Sequence, residues 1–201
     1  MQQMLIRLLG PAVMVAATLG FTMPAAAKLQ FISCAYPFKA DTSHRSLSQS
    51  FGTYAAYGDI QVPEEGTIKG TVLFPEVPRR RVEIVWADRH TKTRPYSVTF
   101  GPAYRTQEGV AVGLTLADLE KINGGPFTLA GFDWDYGGTV TDWKGGKLAT
   151  QPNRCRLIVR FKIGDLPAGA ADVSGDRDFS SDDPAMRAAK PTVSQIAIQF
   201  D

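Results

Sequence analysis

The residues best able to do chemistry gather in one stretch, Phe127-Thr-Leu129-Ala-Gly131-Phe132-Asp133-Trp134-Asp135-Tyr136. Read as a single strand, it projects Asp133 and Asp135 from one face, about 7 Å apart. One extra residue at Gly131, a β-bulge, brings Phe127, Leu129, Phe132, Trp134 and Tyr136 together on the other face. Two carboxylates suggest the acid–base pair of a glycosidase, but such pairs normally come from different strands facing across a cleft. The aromatic face has two readings. As core, it packs beneath helices while the aspartates are solvated, which is the commoner use of such a pattern. As a binding surface, Trp134, Tyr136, Asp133 and Asp135 join Trp143 to anchor a protein or sugar partner. Trp143, between Asp142 and Lys144 beside the Gly145-Gly146 turn, is the aromatic expected to be most exposed.

Other chemistry is thin. The chain carries no G-x-S-x-G, S-x-x-K, H-E-x-x-H, P-loop or G-x-G-x-x-G motif. His44 falls at the start of an expected helix, as a surface or capping residue. His90, in Trp86-Ala-Asp88-Arg-His90-Thr, could pair with Asp88, a common arrangement in turns. The acidic series Asp172, Asp176, Asp178, Asp182 and Asp183 fails the EF-hand template: Ser181 stands where glycine is required and Arg187 where the bidentate glutamate belongs. Arg79-Arg80-Arg81 follows Pro78 and reads as a solvated turn. No cofactor and no metal site is expected.

Composition fits a globular chain: 201 residues, 44% hydrophobic, 21% charged, formal net charge +2. The near-neutral balance excludes a basic nucleic-acid binder, and strands this short, broken by helices, exclude an outer-membrane barrel. Arg7, the apolar run Leu8 to Met23 and Pro24-Ala25-Ala26-Ala27 read as a secretory signal peptide over residues 1–27, cut between Ala27 and Lys28. Gly10, Pro11, Gly20 and Pro24 interrupt that run, whereas a membrane anchor needs about 20 unbroken apolar residues. Removing the leader, with its single Arg7, takes 201 residues to 174 and the charge from +2 to +1. No transmembrane segment is then expected in the mature chain. Cys34 and Cys155 are the only cysteines, and a periplasmic or secreted address favours their pairing.

The elements that must hold these residues are short. Leu29 to Ala35 reads as a first strand. Asp41, Thr42 or Ser43 caps a helix running to Phe51, and Gly52 stops it. Alternation predicts strands around Ile68–Phe74, Arg81–Ala87 and Tyr96–Phe100. Thr115 caps a second helix with Asp118 completing the box, Leu116, Leu119 and Ile122 form its apolar stripe, and Asn123-Gly124-Gly125-Pro126 ends it. The aromatic strand then turns at Gly137-Gly138 into Thr139–Lys144, and at Gly145-Gly146 into Lys147–Thr150. A strand follows over Leu157–Ile163, then a polar loop from Asp165 to Lys190, then a closing strand presenting Ile196, Ile198 and Phe200.

Part of this order repeats. Ser43-x3-Leu47-x4-Gly52 returns as Thr115-x3-Leu119-x4-Gly124, and Arg81-Val-Glu-Ile-Val-Trp86 returns as Arg156-Leu-Ile-Val-Arg-Phe161. Two half-repeats, about 28–105 and 106–201, would share one sheet in a single domain at 28–201. Gly113-Leu-Thr115-x-x-x-Leu119-x-x-Ile122-Asn-Gly124-x-Pro126 resembles the helix-entry motif of the β-lactamase inhibitor protein fold, shared by the small outer-membrane assembly lipoproteins. The first copy keeps only Ser43, Leu47 and Gly52 of it. That resemblance implies tandem helix-plus-sheet units with helices on one sheet face, the other face gripping a partner protein. The run from Asn123 to Gly138 is also similar to a group of uncharacterised exported bacterial proteins. The expectation is an α+β protein, two helices on one face of an antiparallel sheet. Its expected function is that of an exported, non-enzymatic binding module engaging a protein or cell-envelope component through sheet-face or turn aromatics. The alternative is an envelope hydrolase using Asp133 and Asp135 or His90. The oligomeric state is left open.

Overall fold

In a computed structural model of the chain, the structure describes residues 30–151, 155–165 and 172–200. The leader 1–27, the Ala27–Lys28 junction and Leu29 lie outside the described residues. So does the 166–171 part of the expected polar loop.

The chain order is β1 (Gln30–Ile32), α1 (His44–Phe51), β2 (Ala55–Val62), β3 (Gly66–Leu73), β4 (Val82–Asp88), β5 (Thr93–Phe100) and β6 (Tyr104–Thr106). The second half runs α2 (Leu116–Asn123), β7 (Thr128–Ala130), β8 (Val140–Asp142), β9 (Cys155–Lys162), β10 (Asp178–Ser180), α3 (Pro184–Ala188) and β11 (Thr192–Phe200). The architecture is α+β, with most strands in antiparallel sheets.

Both long helices start where local chemistry dictates. Ser43 caps α1 in a reciprocal box with Ser46, and Thr115 caps α2 in the same way with Asp118. Gly124, at φ +89°, closes α2 in the left-handed conformation that glycine adopts without a Cβ clash. Each cap is also tied to a strand start, Ser43 bridging to Thr93 and Thr115 to Thr192.

The main sheet has the order β2-β3-β4-β5-β11-β9, antiparallel throughout. A Thr139–Arg160 bridge sets β8 beside β9, and β8 pairs in turn with β7, and β7 with β10. Period-two alternation divides the sheet into two faces. Ile84, Val98, Val159 and Ile198 join Leu47 of α1 and Leu116 and Leu119 of α2 in the main core. Ile60, Val72 and Val85 form a small separate cluster on the opposite, helix-free face.

Several expectations about elements are corrected. The stretch 127–136 is not one strand: only Thr128–Ala130 pair as β7, and the chain departs at Gly131. There the Gly131 amide donates to Arg177 and the Phe132 amide to Val173, so a distant segment captures the backbone. Lys147–Thr150 forms turns rather than a strand, because buried Asn123 holds that turn: its Oδ1 accepts from the Leu148 amide and its Nδ2 donates to the Trp143 and Gly125 carbonyls. The polar stretch after Asp165 contains β10 and α3, the latter capped by Asp183. Strands β2 and β6 lie outside the alternating stretches of the sequence, and β1 pairs with β6 in parallel as a separate ribbon.

Cys34 and Cys155 sit at disulfide distance, with Cα atoms 5.9 Å apart across 121 residues of sequence. A crosslink closing a loop of that size contributes about 4–5 kcal/mol by limiting the unfolded chain. It ties the segment after β1 to the start of β9. No helix among the described residues is long and apolar enough to cross a membrane.

Candidate functional site

The helix-free face of the sheet carries a trough of about 800 Å3, toward the upper end of the range for ligand pockets. Its apolar floor is Ile60, Val85, Ile158 and Ala197, and Ser97, Thr99, Gln195 and Gln199 add a polar strip between them. That strip follows from register: Thr99 opposes Ala197 and Ser97 opposes Gln199, so these residues of β5 and β11 share the face.

Tyr96 reaches this face through a β-bulge. The β4–β5 register steps from Val85–Ser97 to Trp86–Pro95, leaving Tyr96 as the extra residue. Pro95 suits this position because a proline cannot donate to the ladder. Tyr96 therefore lines the trough beside Ser97, 47% exposed, with its hydroxyl 2.6 Å from Gln199 Nε2.

One wall is the loop 131–138. Asp133, at φ +64°, bends the chain so that Trp134, Asp135 and Tyr136 line the trough. Arg160 of β9 holds this loop from below: its Nε donates to the Gly137 carbonyl at 2.7 Å and its Nη2 to the Trp134 carbonyl at 3.4 Å. The Trp134 indole N–H donates to the Gly131 carbonyl at 2.9 Å, and the Trp134 and Tyr136 rings meet edge to face at 5.6 Å. The opposite wall is the β2–β3 turn, where Glu64 takes a positive φ of 61°. The two walls touch: the Tyr136 hydroxyl donates to Glu64 Oε2 at 3.1 Å. That hydrogen bond, together with nearby carboxylates, raises the Tyr136 pKa and keeps the phenol a donor.

The carboxylates around the trough differ in their engagement. Glu65 pairs with Arg89, and Glu83 pairs with Arg81 at 2.7 Å. Asp135 has no hydrogen-bond or ion-pair partner among the described residues.

The residues singled out from the sequence scatter. Phe127, Leu129 and Phe132 are buried in the main core, Trp134 is half-buried and Tyr136 is exposed, so the aromatics are divided between core and surface. Trp143, expected to be exposed at a turn tip, is instead half-buried and packs against Phe127 with tilted rings 5.5 Å apart. The aspartates do not project together. Asp135 lines the trough, whereas Asp133 faces a second, shallower hollow and accepts from Ser174 Oγ at 2.6 Å. His90 sits in the β4–β5 turn, where Asp88 Oδ1 accepts from the backbone amides of Thr91 and His90, not from the imidazole; those bonds depress the Asp88 pKa. Acidic residues of 172–183 serve as local acceptors: Asp172 in a turn for the Ser174 amide and Asp183 as the cap of α3, while Asp178 of β10 accepts from the Thr141 hydroxyl of β8.

Tyr96, Glu64 and Arg160 escaped the sequence reading. Pro95 within an alternating strand is the one local signal of a bulge next to Tyr96; nothing near Glu64 announces Tyr136, 72 residues away, and nothing near Arg160 announces the carbonyls of Gly137 and Trp134, 23 and 26 residues before it.

Fold and site together define an α+β protein whose helices cover one sheet face and whose other face is a walled trough. No protein-family model, curated protein or solved structure matches the chain.

Proposed function

We propose that this protein is an exported, non-enzymatic binding module that engages a protein or cell-envelope component in the trough on its helix-free sheet face. The observation that carries the reading is the trough itself. Half-exposed rings, carboxylates and side-chain amides converge there on a floor fixed by strand pairing. Those groups recognise ligands, but none is posed as a nucleophile with its base, and Asp133 and Asp135 face different hollows.

Two further points support the wider reading. The leader-like N-terminus and a cysteine pair at disulfide distance suit an oxidising compartment. The strand order reads β2-β3-β4-β5 in one half and, mirrored, β7-β8-β9-β11 in the other, each half led by a helix whose cap bridges to its last strand. That mirrored order supports two half-repeats sharing one sheet, as the β-lactamase inhibitor protein resemblance implies.

The test is site-specific photocrosslinking in a periplasmic extract. A benzophenone side chain at Gln199, in the trough, is expected to yield a discrete adduct that the same probe at Lys121, on α2, does not. Equal labelling from both positions, or none from Gln199, removes the trough as the binding face.

A further inference from the structure

The trough treats its aromatic rings differently from the rest of the molecule. Elsewhere this chain lays its own cations on partly exposed rings: Arg105 lies 4.5 Å from the Phe31 centroid and Lys92 4.0 Å from that of Tyr57. Arg177 lies 4.7 Å from Phe179. Among the described residues, no cation of the chain lies over Tyr96, Trp134 or Tyr136. Instead, carboxylates flank them. Asp135 stands between Trp134 and Tyr136 in sequence, lines the same trough and has no hydrogen-bond or ion-pair partner among the described residues, and Glu64 meets Tyr136.

Charge around the trough points the same way. Arg81 and Arg89 neutralise Glu83 and Glu65. Among the described residues lining the trough, Glu64 and Asp135 then face one cation, Arg160, whose guanidinium donates to the carbonyls of Gly137 and Trp134. The end of the trough walled by the 131–138 loop is thus negative and aromatic, in a protein of formal net charge only +2. An ammonium or guanidinium satisfies both features, since ring faces and carboxylates each attract it. Beyond this end, Ser97, Thr99, Gln195 and Gln199 offer hydrogen bonds to amides, and Val85, Ile158 and Ala197 offer an apolar floor.

We propose that the trough binds an extended, lysine- or arginine-bearing segment of a partner protein. The segment's cation seats between Asp135, Glu64 and the rings of Trp134, Tyr136 and Tyr96, and its backbone runs along the β5–β11 strip. This rests on the reading of the trough as a binding face and names what that face takes.

The experiment titrates the full mature chain against a fluorescein-labelled heptapeptide of alternating valine and lysine, followed by anisotropy. The lysine peptide is expected to bind, and Asp135→Asn to weaken it about tenfold with unchanged circular dichroism. Raising salt from about 20 to about 300 mM should weaken it too. Glu108→Gln, an exposed carboxylate on the β6 side, should leave binding unchanged. The inference is overturned if the lysine peptide fails to bind, if a glutamate counterpart binds equally, if spermidine competes as strongly as the peptide, or if Asp135→Asn has no effect. Should a chito-oligosaccharide bind in place of the peptide and lose affinity with Trp134→Ala, the peptide assignment falls while the trough stands as a binding face.

Discussion

His44 shows how one side chain couples a helix start to the sheet beneath it. Its Nδ1 lies 2.9 Å from Thr71 Oγ1, which also accepts the Trp86 indole N–H at 3.0 Å. Thr71 and Trp86 are buried, and with Trp86 already donating to the Thr71 oxygen, a neutral imidazole that accepts the Thr71 proton at Nδ1 satisfies all three groups. A protonated ring would lack that acceptor. Burial, then the nearby Lys92 ammonium, lower the His44 pKa below 6.5. On acidification the unfolded chain therefore takes up this proton first. The contribution of neutral His44 to stability is complete above pH 6.5 and lost as pH falls below it toward the folded value. His44→Gln keeps an acceptor but cannot titrate, so stability measured by urea denaturation from about pH 7.5 to about pH 5 should fall less steeply than in the parent. Identical slopes would remove His44 from the acid sensitivity.

Among the elements, those governed by neighbours in sequence were legible and those governed by distant partners were not. The capping boxes of α1 and α2 span four residues each; the Thr115–Asp118 box of α2 is legible in sequence, whereas for α1 Asp41, Thr42 and Ser43 are equivalent candidates until the Ser46 partner selects Ser43. Strands β3, β4, β9 and β11 alternate clearly because one face of each packs on the main core. Strand β2, with Gly58 and Asp59 inside it, has little strand preference and exists because β3 pairs along its whole length. The stretch 127–136 has ample preference, yet Val173 and Arg177 capture its backbone at Gly131 and Phe132, which no local signal records. The trough inherits the same limitation, since its walls come from the β2–β3 turn and the 131–138 loop. The Cys34–Cys155 link is long-range as well, yet legible, because two cysteines allow only one pairing. It joins the end of the β1 region, which also pairs with β6 and packs Ile32 and Phe38 into the main core, to the start of β9. Replacing both residues by serine should cost about 2–5 kcal/mol of unfolding free energy, measured by urea denaturation. In the parent, a reductant should produce a loss of similar size, and no loss in either case would show that the link does not form.

At the scale of the whole molecule, the repeat reading raises the question of whether a half can stand alone. The two halves meet at β5 and β11, where Val98 opposes Ile198 and Phe100 opposes Ile196. All four side chains are buried in the one core cluster that also receives Leu47 from α1 and Leu119 from α2. Separation would expose all of them, at about 1.5–3 kcal/mol for each side chain returned to water. A domain of this size has only about 5–15 kcal/mol of net stability, so the shared seam accounts for much of it. The trough is divided too: Glu64, Val85 and Tyr96 come from the first half, and Asp135, Ile158 and Gln199 from the second. Neither half therefore holds a complete floor or both walls. Expressed separately, 28–105 and 106–201 should show no cooperative thermal transition by circular dichroism, while the full chain unfolds in one step with far- and near-ultraviolet signals coincident. A cooperative melt from either half would mean that the repeats are independent domains, and the trough would then be a seam between two folded bodies. A single transition would instead make the trough and the fold one property, because strand pairing across β5 and β11 both completes the core and sets Tyr96 and Gln199 side by side on the opposite face.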